Sequence, residues 1–246
     1  MKSINANFFM GVLLVIASLI FYVIQIAYFK TPQNTLFYFL QDLAFLPLQV
    51  VIVTIVLKKI LSAREKKGRL KNINMAISAF FGEAGTEMIL CLLQFSTKCG
   101  ELKEQLEITE KWSNNDFKKA SKLLKGYDFA MKSQVSSLPD LKQLLIAKRS
   151  FLLSMLENPN LLEHDTFTDT LWAVFHLTDE LVARTDFTDL PDTDLNHLSI
   201  DMKRAFSKLL VEWINYIVHL KSDYPYLFSM AIRKNPFNEH ISVIIR

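Results

Sequence analysis

Glu83 and Glu87 stand four residues apart in an otherwise apolar stretch, a spacing that projects both carboxylates from one face of a helix. Such a pair can bind a metal ion or divide acid and base duties, and more commonly it binds a Lys or Arg from a neighbouring helix. Further along, His176, Asp179 and Glu180 share an acidic helical face with Asp169, and His219 follows Glu212 one heptad on. A helical bundle assembles metal centres from such donors, so Glu83, Glu87, His176, Asp179, Glu180 and His219, with His164 as a further donor, form the candidate ligand set for a metal-dependent enzyme. Solvated helix faces account for the same residues, and the Glu-x-x-His pairs of di-iron proteins are absent.

Other chemistry is missing from the chain. It has no glycine-rich phosphate loop, no G-x-S-x-G elbow, no H-E-x-x-H and no C-x-x-C, so no catalytic residue and no cofactor is expected. Cys91 and Cys99 are eight apart, a spacing that fits reduced packing thiols. The acidic linker with Asp186, Asp189, Asp192 and Asp194 lacks the spacing and central glycine of a calcium loop, and is expected to be a solvated connection.

The elements that carry these residues follow from apolar patterning. Half of the 246 residues are AVILMFWYC, with 19 Phe, only 6 Gly and 7 Pro, which leaves little turn chemistry for an all-β fold and predicts an all-α protein. From Phe8 to Phe29 run 22 uncharged residues with Gln25 as the strongly polar exception, enough to cross ~30 Å of hydrocarbon at ~1.5 Å per residue. Bulky Tyr28, Phe29 and Lys30 stand where a signal peptide would need small residues, so a retained transmembrane helix is expected. After a short link with Pro32 as breaker and Asn34 or Thr35 as cap, a second apolar run covers Leu36 to Leu57, and the two form an antiparallel hairpin.

Charge sets the orientation. Residues 1 to 72 hold nine Lys or Arg against two acids, while residues 73 to 246 hold 19 against 23, so the net +3 resolves into +7 and −4. Lys58, Lys59, Arg64, Lys66, Lys67, Arg69 and Lys71 follow the second span, whereas the inter-helix loop has only Lys30, which puts both termini in the cytoplasm and the basic segment against anionic lipid headgroups. This split excludes a uniformly basic nucleic-acid binder. Within the spans Gln25, Gln41, Asp42 and Gln49 must find partners that lipid does not offer. Gln25 and Gln41 fall at nearly the same depth, which predicts an amide hydrogen bond between them, and Pro47 is expected to kink its helix.

Residues 73 to 95 are a third apolar stretch, but Glu83 and Glu87 at its centre would each cost ~2.5 to 3.5 kcal/mol in mid-bilayer, so a helix in the cytoplasmic core or at the membrane surface is expected in place of a third span. Helices are then expected from Glu101 to Trp112, from about Asp116 to Phe129 with Asn114 or Asn115 as cap, from Pro139 to Glu157, and from Asp165 to Arg184. A longer one starts at the candidate cap Thr193. In it Leu195, Leu198, Met202, Ala205, Phe206, Leu209, Trp213, Tyr216 and Leu220 recur at threes and fours, a seam for bundle packing or self-association. The tail segment ISVII is expected to be a short strand. The expected division is a transmembrane hairpin with its basic segment over 1–72 and a cytoplasmic helical bundle over 73–246.

Four stretches, FYFLQDLAFLPLQV (37–50), NMAISAFFGEAGTE (74–87), LENPNLLEHDTFTDTLWAVFHLTDEL (156–181) and HLKSDYPYLFSMAIRKNPF (219–237), resemble a prokaryotic family of uncharacterised two-span membrane proteins with a helical cytoplasmic domain. The resemblance implies a prokaryotic inner membrane and carries over no activity, ligand or catalytic residue. The leading functional expectation is a non-enzymatic membrane-anchored scaffold, sensor or interaction module that forms homo-oligomers through the hairpin and the 193–222 helix and binds a protein partner of unknown identity. A metal-dependent enzyme in the helical domain, and a small oligomeric channel with Asp42 near its mouth, are the alternatives.

Overall fold

Helix-forming patterns dominate the chain, and the computed structural model is 83% helical, with no strand among the described residues. It describes residues 2–30, 32–162 and 164–238, without the side chains of residues 2–8, 32, 99 and 101. The ISVII strand and the Cys99 thiol therefore lie outside the described residues. The chain divides into two units, Met1–Lys66 and Lys67–Arg246.

The first unit holds α1 (Lys2–Phe29) and the first part of α2 (Pro32–Phe80). α1 ends because Lys30 adopts the left-handed conformation, φ 52°, and its N–H closes on the Ile26 carbonyl at 3.0 Å, a terminating turn usually given to glycine. α2 then opens at Pro32, ahead of Asn34 and Thr35, since the fixed φ of proline suits a first helical turn. It continues unbroken through Pro47 and the basic segment. Tyr22 and Phe39 meet edge to face at 6.1 Å. Along both helices the large apolar side chains are exposed, Phe21 at 72% and Phe37 at 65% among them. Both helices are long and apolar enough to cross a membrane by length and composition.

In the second unit, α2 ends on the buried Ile73, Ile77 and Phe80 and passes through one π turn (Phe81–Gly85) into α3 (Thr86–Leu93). The wide turn is held by Thr86, whose backbone N–H and hydroxyl both donate to the Phe81 carbonyl, the hydroxyl at 2.8 Å. Buried positions 73, 77, 80, 81, 84, 85, 88, 89 and 92 recur at threes and fours, so residues 73–95 supply the core of this unit. Helices α4 (Cys99–Leu106), α5 (Asn114–Gly126), α6 (Leu138–Leu156), α7 (Pro159–Leu162), α8 (Asp165–Ala183), α9 (Asp192–Asp223) and α10 (Pro225–Arg233) complete it.

Helix α9 is the central post, with α8, α5, α10 and α3 packed on it and α6 packed on α8 and α3. Its stripe from Leu198 through Met202, Ala205, Phe206, Leu209 and Trp213 to Leu220 is buried inside the chain's own bundle. Of the two expectations for this seam, its burial fits bundle packing, because these side chains already have intramolecular partners. So many helices cover α9 that Glu212, expected on a solvated face, is buried too. On α8 the apolar face of Phe167, Leu171, Val174, Phe175 and Leu181 is buried, and Val182 faces out. Local chemistry moves several boundaries. α4 stops at Leu106, and α5 is capped by Ser113 in a reciprocal capping box with Asp116, whose carboxylate accepts the Ser113 N–H at 2.8 Å. α9 starts after Pro191, before Thr193.

The π turn depends on one missing side chain. A Cβ at Gly85 would lie 2.6 Å from ring carbons of both Phe80 and Phe81. Those rings cannot retreat, because Phe80 packs edge to face on Phe167 at 5.1 Å and Phe81 stacks on Tyr216 at 5.0 Å. Gly85→Ala should therefore destabilise the full-length protein by about 1–3 kcal/mol, read from thermal unfolding in detergent by circular dichroism. Gly82→Ala, whose new methyl meets open space, should leave stability unchanged or raise it.

Candidate functional site

In the hairpin unit, α1 contributes Ser18, Tyr22 and Gln25 and α2 contributes Tyr38, Gln41 and Asp42 to one groove. Gln41 and Asp42 are exposed and Gln25 is half-buried. The two amides line the same groove, but the expected hydrogen bond between Gln25 and Gln41 is not formed among the described residues. Gln49 lies outside this group, on the exposed surface of α2. Lys58, Lys59, Arg64, Lys66, Lys67, Arg69 and Lys71 are all exposed on the same helix.

In the helical unit the expected metal donors are dispersed. Glu83 and Glu87 do project together, and both reach Lys148 of α6 at 3.3 Å. Partial desolvation works against the Lys148 charge, yet its hydrogen bonds to Glu83 and Glu87 hold the ammonium above its ordinary pKa. Such a clamp competes with any cation for the two carboxylates. Asp179 pairs with Arg149 of α6 at 2.6 Å. His219 is nearly buried, 3.0 Å from Asp223 and 3.3 Å from the Asn74 amide, and its Nε2 has no partner. His164 caps α8, its Nδ1 accepting the Phe167 N–H at 3.2 Å. Cys91 is half-buried, and burial, with Asp140 and Glu87 nearby, pushes its thiol up and keeps it unreactive. In the linker, Asp186 accepts the N–H groups of Phe187 and Thr188 and is committed to the turn.

Two of the expected donors do meet, with two that the sequence reading missed. His176 and Glu180 stand one turn apart on α8, and His197 and Asp201 stand one turn apart on α9. Nε2 of His176 and Nε2 of His197 each lie 3.3 Å from Oδ2 of Asp201, and Nε2 of His197 lies 3.6 Å from Oε2 of Glu180. All four donor atoms fall within 4.8 Å of one another. Asp201 is 1% exposed, and its Oδ2 accepts no hydrogen bond, while Oδ1 accepts one from Arg204 at 2.7 Å. The imidazoles are about half exposed, at 47% and 48%, so the cluster sits at the surface with its carboxylate floor inside. Two imidazoles and two carboxylates at this spacing can share protons or coordinate a cation. The available signal was a repeat, His176-x-x-x-Glu180 answered by His197-x-x-x-Asp201, each placing two donors on one helical face.

Comparison with known proteins gives one consistent result. Residues 2–61 match the family described as MJ1433, N-terminal helical domain, and residues 69–233 match Uncharacterized protein MJ1433, C-terminal helical domain. The chain is 40% identical over 235 residues to "Uncharacterized protein MJ1433" of Methanocaldococcus jannaschii, which covers 96% of this chain and 94% of that relative. No solved structure matches the chain.

Arg184 braces the cluster from the end of α8. Its guanidinium holds Asp194 in a fork, at 2.7 and 2.6 Å, and donates to Oε2 of Glu180 at 2.9 Å and to the Glu180 carbonyl. Hydrogen bonds from Arg184 hold both Glu180 and Asp194 below their ordinary carboxylate values, against a smaller opposing effect of burial. Both groups are thus depressed in the folded state, and the unfolded chain binds more protons in acid. Their stabilisation is complete above the ordinary values, 3.8 for Asp and 4.5 for Glu, and is lost as pH falls through the lower folded values. Arg184→Met should cost roughly 1–2 kcal/mol at pH 7, and the gap to wild type should shrink below about pH 4. Urea unfolding of the full-length protein at several pH values measures both.

Proposed function

The chain belongs to the MJ1433 family of helical proteins of unknown activity, and from that premise we propose that it is a membrane-anchored, non-enzymatic interaction module that self-associates. The observation that carries this reading is the solvent exposure of the hairpin. Between Phe9 and Leu57 the large apolar side chains of both helices lie almost wholly uncovered, whereas most of those in the helical unit are buried and its exposed ones, such as Trp172 and Tyr226, are scattered. Water tolerates apolar patches of only a few hundred Å² on a soluble protein, so the solvent of these helices is hydrocarbon. The basic segment that follows would then sit at the cytoplasmic face against anionic headgroups, with both termini and the helical domain on that side of a prokaryotic cell membrane.

Self-association rests on the polar groove. Gln25, Gln41 and Asp42 converge where a lone hairpin would present them to lipid, and a carboxylate or amide there needs a protein partner. A second copy offers the same groups, and amides bridging two hairpins would satisfy both. The central role of α9 in its own bundle leaves the hairpin to carry the contact. A scaffold or sensor role for the helical domain, with a further protein as partner, completes the reading.

Cross-linking of the full-length protein in native membranes should capture dimers or larger homo-oligomers. Asp42→Leu should lower their yield without releasing the protein from the membrane. A product that stays single-chain at every cross-linker length would contradict self-association.

A further inference from the structure

We propose that His176, Glu180, His197 and Asp201 bind a divalent transition-metal ion of the zinc class, bridging α8 and α9. This goes beyond membrane anchoring and does not depend on it. Zinc bonds of about 2.0–2.1 Å at tetrahedral angles separate neighbouring donor atoms by about 3.3–3.4 Å. Three of the six donor separations here are 3.3, 3.3 and 3.6 Å and all six lie within 4.8 Å, so an ion fits among the four atoms once the exposed imidazoles and Glu180 close the wider gaps.

The independent observation is the Asp201 carboxylate. It lies on the floor of the cluster with 1% exposure, and Oδ2 faces both imidazoles without a hydrogen bond. A buried carboxylate oxygen without a hydrogen bond is costly; ion pairing with an imidazole 3.3 Å away or a cation held among the donors offsets it, and only the cation leaves both rings neutral. Two imidazoles directing Nε2 at the same oxygen from different helices is the arrangement a metal draws together, since both rings then stay neutral and share one central charge. With neutral rings, the two carboxylates balance a divalent ion.

The groups behind the donors are also in place. Arg204 holds Oδ1 of Asp201, and Arg184, itself fixed by Asp194, holds Oε2 of Glu180, so each carboxylate is oriented by a guanidinium. Each histidine stands one turn from its carboxylate on a packed helix, so the four donors are set by rigid elements. Two imidazoles select a first-row transition metal, because calcium and magnesium prefer oxygen-only shells. The half-exposed imidazoles leave the ion an open route from solvent. Glu180, the more distant donor and already engaged by Arg184, is the ligand that a water would replace.

Full-length protein purified in detergent, stripped with chelator and titrated with zinc, tests the proposal. One zinc per chain should bind and raise the melting temperature, and magnesium or calcium at equal concentration should do neither. Binding should weaken in acid, because protons compete with the metal for its ligands. His176→Gln with His197→Gln, exposed positions whose replacement should leave the circular-dichroism spectrum unchanged, should weaken zinc at least about 100-fold, as should Asp201→Asn. The cobalt(II) form should show the strong visible absorption of a tetrahedral site and lose it in the same variants. Absence of stoichiometric zinc, or zinc retained undiminished in the double histidine variant, would overturn the assignment.

Discussion

Apolar surface has to be solvated by something other than water, and in this chain that requirement is met in two ways. In the helical unit, protein covers it: Ile73, Phe80, Met88, Phe167, Phe206 and Trp213 all sit in one interior. In the hairpin no protein covers it, and Phe21, Phe29 and Phe37 stand exposed. Under the proposed reading a bilayer is the solvent of the second arrangement, and the placement of charge agrees with it. The basic residues between Lys58 and Lys71 begin where the apolar run ends, and Lys30 alone marks the opposite turn.

The helical unit depends in turn on α9 and on the turn at Gly85. The π turn lets Phe80 and Phe81 occupy the space a side chain would fill, and from there the two rings reach α8 and α9 through Phe167 and Tyr216. Closure of α8 against α9 then sets the register that brings His176 and Glu180 opposite His197 and Asp201. A site that bridges two helices is thus a consequence of core packing beneath it.

The sequence shows some of this plainly and hides the rest for definable reasons. The two long apolar helices are legible because the run from Phe8 to Phe29 is uninterrupted on every side of a helix, the pattern that the proposed bilayer setting would require. The burial of α9 is legible in the period of Leu198, Met202, Phe206 and Leu209, but periodicity does not say what covers a stripe, so core and self-association read alike. Glu83 and Glu87 are legible as a pair, while Lys148, the partner that occupies them, lies about 60 residues on and is fixed only by how α6 packs. The four-donor cluster needs the register of two helices, and Asp201 gives no local sign that it will be buried. Gly85 has the same character: its requirement comes from rings held by α8 and α9.

Anchoring in a bilayer is the claim on which the reading of the hairpin, the basic segment and the groove all rest. Washing native membranes with alkaline carbonate, which strips peripheral proteins and leaves integral ones, tests it most directly. The full-length chain should remain wholly in the membrane pellet and enter solution only with detergent. Release into the carbonate supernatant would mean that the exposed face of Phe9 to Leu57 is covered by protein and not by lipid.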